Sequence, residues 1–256
     1  MILGFIGTGK ISSSIIYGIF NSKLKIKRIY ISSRNKNIAK KLTRKFRSVK
    51  ILNDNQEIIN KSSTIFLAVT PIVGNKILSK LKFTRNKKII SLISTINLEK
   101  LKKLTKNKNV TRAIPLPPIE IKKGPIILCP ANKNAKAIFS HLGKVLEIKS
   151  EKICNNFWTT SALMAPFYEL LKVSSDWLTH RGVRKSEAVN YITELFLGLS
   201  QDAVNKKSQG LKKLVLDSQT PRGINEEALS QLKKEKFYSN LNKVLNRIYL
   251  RLKKSK

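Results

Sequence analysis

The segment Gly7-Thr8-Gly9-Lys10-Ile11-Ser12 constrains this chain most, because it follows the apolar run Ile2-Leu3-Gly4-Phe5-Ile6 and precedes a helical pattern carrying Ile15 and Ile16. A glycine turn between a buried strand and a helix lets backbone N–H groups approach a pyrophosphate, and the helix presents its positive end to the same group. Gly7 permits the tight turn, Gly9 permits close approach, and Ser12 is small enough for helix and strand to pack. A glycine turn without a ligand is the plainer alternative. The context is nevertheless the one a dinucleotide-binding βαβ unit requires.

Apolar runs recur along the first half at Ile2–Ile6, Arg28–Ile31, Val49–Leu52, Thr64–Val69, Lys88–Ile93, Val110–Ile114 and Pro125–Leu128. They read as buried strands. The pieces between them, such as Ser12–Phe20, Ile38–Phe46 and Ile72–Leu81, fit crossover helices, which predicts a mostly parallel sheet of Rossmann type. Beyond about residue 150 the strand-like runs stop. Helical spacing dominates Thr160–Leu178, Ser186–Val204, Leu211–Leu216 and Asn225–Leu252. The expectation is an α/β fold with an N-terminal domain over residues 1–150 and an all-helical domain over 151–256. Pro115-Leu116-Pro117-Pro118 reads as a rigid extended or turn segment.

The 51 Lys and Arg against 15 Asp and Glu give a net charge of +36 in 256 residues. Such an excess raises nucleic acid or an anionic membrane as partners. The bases are spread from Lys10 to Lys256 among many Ile, Asn and Ser, without zinc-finger spacing, an aromatic RNA-binding motif or a basic zipper. Drift in base composition explains that distribution, and no specific nucleic-acid partner is expected. Cys129 and Cys154 are the only cysteines; they read as free thiols in a reducing compartment, with no metal-ligand spacing. The apolar N-terminus lacks a basic lead and is broken by glycines, and no run is long enough to span a bilayer. A cytoplasmic, soluble protein with no membrane partner is expected.

Sites that prefer NAD carry an acid about 20 residues past the glycine turn, on the ribose 2′-hydroxyl. Here that place holds Ser32-Ser33-Arg34-Asn35. No acid repels a 2′-phosphate, and Arg34 with the serine hydroxyls can bind one by charge-assisted hydrogen bonds. NADP(H) is therefore expected, with NAD(H) as the alternative cofactor; Arg34 as one more solvated base is the bland reading.

These residues resemble the pyrroline-5-carboxylate reductase family. The resemblance is carried by Gly4-Phe5-Ile6-Gly7-Thr8-Gly9 with Ile15, Ile16 and Gly18, and by Phe66-Leu67-Ala68-Val69-Thr70-Pro71, where the family ends in Ala-Val-Lys-Pro. Val110-Thr111-Arg112-Ala113-Ile114-Pro115 with Pro118 is similar to the family's Arg-x-Met-Pro-Asn-Thr-Pro segment. Gly182-Val183 with Ser186-Glu187-Ala188 is similar to its Gly-(Leu/Val)-x-x-x-x-Ala helix start, and Asp217 to Gly223 take the place of its Ser-Pro-Gly-Gly-x-Thr loop. The resemblance implies a helical domain that forms a homodimer or higher homo-oligomer, and hydride transfer to the C=N carbon of a cyclic imine to give proline. It also implies cofactor contacts at Ile6, Gly7, Thr8, Gly9, Lys10, Ile11, Ser33, Arg34, Asn55, Ala68, Val69, Thr70 and Pro71.

The substrate end departs from the family pattern. Its Ser-Gly-Ser-Gly-Pro turn is here Ala162-Leu163-Met164-Ala165-Pro166, Arg222 replaces a glycine, Leu116 replaces an asparagine, and Asn225 stands where a Thr is expected to bond the ring nitrogen. Thr160, Ser161, Arg222, Gly223 and Asn225 are the candidate substrate residues, with Arg222 a planar bidentate donor for a carboxylate. Asn225 is a candidate catalytic residue or a helix N-cap ahead of Glu226 and Glu227. Glu169 is a candidate proton donor or a salt-bridged helix residue beside Lys172. Two other classes stay open: a β-hydroxyacid-dehydrogenase-like oxidoreductase using Lys172, and a cofactor-binding relative without catalysis.

Overall fold

The computed structural model describes residues 1–254. Eight strands form one sheet in the order β3-β2-β1-β4-β5-β6-β7-β8: β1 (Ile2–Ile6), β2 (Arg28–Ser32), β3 (Val49–Leu52), β4 (Thr64–Leu67), β5 (Lys88–Ser91), β6 (Val110–Ile114), β7 (Pro125–Cys129) and β8 (Lys144–Glu147). Every pairing is parallel except β6 with β7. The α/β architecture and all seven expected strands are present. The eighth, β8, escaped notice because it is a short edge strand with polar ends at Lys144 and Glu147, carrying no buried run.

Six helices connect these strands: α1 (Lys10–Phe20), α2 (Lys36–Lys45), α3 (Asn55–Lys61), α4 (Pro71–Ile77), α5 (Leu98–Thr105) and α6 (Lys133–Phe139). Apolar clusters bury both sheet faces, as a parallel sheet requires. One holds Phe5, Ile15, Ile31, Leu42, Phe66 and Phe139; the other holds Ile6, Ile58, Ile65, Leu67, Ile89 and Leu101. Phe5 stacks on Phe66 with ring centroids 4.4 Å apart, linking the neighbouring strands β1 and β4. At Gly18 a side chain is impossible, since an added Cβ would lie 2.5 Å from the Ile119 carbonyl oxygen.

Six further helices follow: α7 (Glu151–Ser161), α8 (Met164–His180), α9 (Lys185–Asn205), α10 (Leu211–Asp217), α11 (Ile224–Lys234) and α12 (Phe237–Lys254). The long helical pattern expected over Asn225–Leu252 is broken by Lys236, which adopts φ 58° between α11 and α12. Pro166 lies in the first turn of α8, where its missing N–H costs least. Contacts divide the chain into two compact units, residues 1–159 with the chain from Tyr249 onward, and Thr160–Ile248. In the first unit Cys154 of α7 packs with Ile114, Ile127 and Cys129. In the second, α8 lies along α9, with Phe167 and Phe196 edge to face at 6.2 Å.

Candidate active site

The strand order reverses between β1 and β4, and the turns after these two strands flank that point. In open α/β sheets a ligand binds in the crevice at the carboxyl ends of the strands where such a reversal occurs. The amide of Ala68 donates to the Ile6 carbonyl at 2.8 Å, so the two turns leave the sheet side by side. Gly7 adopts φ 102°, and a Cβ there would sit 2.3 Å from the Ala68 carbonyl oxygen. Only glycine fits this crossing. At Gly9 an added Cβ would meet no protein atom within 4 Å, so its Cα hydrogens face open space.

That open space is a cleft lined by Gly7, Thr8, Gly9, Arg34, Asn35, Lys36, Asn37, Ala68, Val69, Thr70 and Val73. The first N–H groups of a helix have no intrahelical acceptor. Gly9, the N-cap of α1, has no side chain to accept from them, and no acid stands in the first turn. A diphosphate group would satisfy these donors. The residues therefore fit a dinucleotide, and at Gly9 a side chain would fill the cradle.

Seven of the expected cofactor residues, Gly7, Thr8, Gly9, Arg34, Ala68, Val69 and Thr70, line this cleft together. Ile6 is buried at the end of β1, Lys10 and Ile11 form the first turn of α1, and Pro71 is the first residue of α4. Ser33 precedes Arg34 in the turn before α2, while Asn55 opens α3 behind its N-cap Asp54. None of these six lines the cleft. Asn35, Lys36, Asn37 and Val73 were missed. The signal for Asn35 was its cap position: its side chain accepts from the Ile38 amide at 3.2 Å and so fixes the start of α2 at the cleft.

The substrate candidates lie elsewhere in the chain. Thr160 and Ser161 end α7. Gly223, not Asn225, is the N-cap of α11, which corrects the cap reading: Asn225 is already helical, and its Nδ2 donates to the Ser218 carbonyl at 3.0 Å. Arg222 adopts φ 60°, and its amide donates to the Glu226 carboxylate at 2.7 Å. Glu226 thereby locks a strained non-glycine residue into a turn where the family pattern has glycine. The Arg222 guanidinium has no partner among the described residues. Glu169 is exposed on α8, 3.7 Å from the Lys172 ammonium, which also bonds Asp176 at 3.0 Å. Lys172 is held in its cationic form by Asp176 first and Glu169 second, opposite to what a general base needs.

Among the described residues no group of His, Cys, Asp and Glu could hold a metal, and no helix is long and apolar enough to cross a membrane. Two family models match the chain. Residues 2–98 match NADP oxidoreductase coenzyme F420-dependent, and residues 157–255 match pyrroline-5-carboxylate reductase dimerisation. A pyrroline-5-carboxylate reductase of Synechocystis is 29% identical over 155 residues, 57% of this chain; the alignment spans 58% of that enzyme's length. One of Arabidopsis thaliana is 22% identical over 93% of this chain and 90% of its own. The solved Plasmodium falciparum pyrroline carboxylate reductase with NADP bound superposes with a TM-score of 0.86, at 23% identity over 100% of this chain and 98% of its own. With both ends of the chain matched by family models, and with these relatives sharing one name, the chain is similar along nearly its whole length to the pyrroline-5-carboxylate reductase family.

Proposed function

We propose that this chain is an NADPH-dependent reductase that converts the cyclic imine pyrroline-5-carboxylate to proline. The observation that carries the reading is the cleft at the strand-order reversal, where the open face of Gly9 adjoins Arg34 and Lys36. Arg34 and Lys36 supply positive charge where a 2′-phosphate would lie, and no acid lines the cleft. NADP(H) is thus preferred to NAD(H).

When bound, the reduced nicotinamide supplies a hydride to the C=N carbon, and the ring nitrogen retains the proton that makes it an iminium before transfer. The substrate nitrogen is already basic, so the protein chiefly orients. With Nδ2 of Asn225 donating to Ser218, Oδ1 remains to accept the iminium N–H. The unpartnered guanidinium of Arg222 is suited to the substrate carboxylate, and Thr160 and Ser161 add hydroxyls. Glu169, held in an exposed network with Lys172, is given no step.

Residues 157–255 match the dimerisation model, and α8 and α9 expose Phe167, Val173, Trp177, Tyr191, Leu197 and Leu199. Apolar exposure on that scale supports a homo-oligomer that covers it. The test is consumption of NADPH with pyrroline-5-carboxylate, with proline measured as product. Proline formation supports the reading. Cofactor binding without turnover across a panel of cyclic imines and keto acids overturns it in favour of a non-catalytic relative.

A further inference from the structure

We infer that Ser32 is a positioning residue of the nucleotide site, tying the glycine turn to the loop that carries Arg34. This rests on the NADP reading above. Ser32 is buried at the end of β2, and its Oγ accepts the Gly7 amide at 3.1 Å. The Thr8 hydroxyl donates to the Ser32 carbonyl at 2.7 Å and lies 3.2 Å from the Ser32 hydroxyl. One arrangement of protons satisfies all three contacts: Thr8 donates to the carbonyl, Ser32 donates to Thr8, and Gly7 donates to Ser32. From the other side, Ser12 Oγ donates to the Gly7 carbonyl at 2.7 Å.

Two consequences follow for ligand binding. The Gly7 amide is committed within the protein, so the diphosphate must draw on the N–H groups from Thr8 onward. The Arg34 loop begins two residues after the bonded Ser32 carbonyl, so its place relative to the diphosphate cradle is set by this link. NADH, which has no 2′-phosphate, depends on the cradle alone, whereas NADPH needs cradle and loop in register.

The experiment is fluorescence titration of NADPH and NADH with wild type, Ser32→Ala, Arg34→Ala and the double variant. Losing a buried hydrogen bond that fixes one ligand contact should raise the Kd for NADPH about 5- to 10-fold more than that for NADH. In the double variant the NADPH preference should be no lower than in Arg34→Ala alone, since the contact being positioned is gone. A purely structural serine would weaken both cofactors equally and add to Arg34→Ala, and that result overturns the inference. Thr8→Val cuts the same link from the other end and gives the same readout if Ser32→Ala does not fold. Wild-type protein binding NADH as tightly as NADPH instead overturns the NADP reading and takes this inference with it.

Discussion

Arg112 on β6 is ion-paired with Glu151 at the start of α7, although the arginine is only 1% exposed. A second guanidinium nitrogen donates to the Ser94 carbonyl at 2.6 Å, and the ring of Trp158 lies 4.4 Å from the guanidinium carbon. Glu151 also accepts the Leu98 amide at 2.7 Å, so a pair with a buried arginine and a partly exposed carboxylate pins the loop after β5 to α7. Breaking such a pair from one side leaves an uncompensated charge, and Glu151→Ala is expected to cost about 3 kcal/mol or more. Urea unfolding measures this; a loss within experimental error would show that the carboxylate is dispensable.

The two glycines of the opening turn should fail differently. Gly7→Ala meets the Ala68 backbone and a φ of 102°, so it should lower thermal stability together with cofactor binding. Gly9→Ala meets nothing in the protein, so its stability should stay within about 1 kcal/mol of wild type. Its methyl group enters the cradle, and NADPH affinity should drop at least about tenfold. Melting curves alongside cofactor titration separate the two; a Gly9→Ala protein that binds normally would move the diphosphate elsewhere.

On the proposed role of Arg34 at the 2′-phosphate, Arg34→Ala should cost about 10- to 100-fold in NADPH affinity at little change for NADH. Equal losses for both cofactors would return Arg34 to the role of a solvated surface base.

The two thiols give a pH prediction. The hydrogen bond with Cys129, followed by burial, raises the Cys154 thiol well above its ordinary value, while that hydrogen bond lowers Cys129. Above about pH 8.5 the unfolded chain gives up the Cys154 proton and the folded chain keeps it, so this contribution to stability falls as pH rises. Cys154→Ala should show a flatter decline in unfolding free energy over that range. Iodoacetamide should also label neither thiol in the folded protein and both in urea, because both are buried. Rapid labelling of Cys154 under native conditions would contradict this.

The sequence by itself determined the α/β half, because alternating apolar runs and amphipathic spacers have one economical packing, and the glycines of the first turn are local requirements of backbone geometry. The family resemblance and the Arg34 loop were legible for the same reason: each lies within a few residues of an element whose period is unambiguous. What only the tertiary structure decided depends on distant neighbours. The Ser32 bond to Gly7 spans 25 residues, and Arg112 meets Glu151 across 39, neither marked by any local pattern. The break at Lys236 and the start of α11 at Ile224 were also hidden, since a continuous helical period conceals where a backbone turns left-handed. At the substrate end the sequence showed replacement of the family's residues, and the structure showed what they bond to: Asn225 to Ser218, and Arg222 to Glu226.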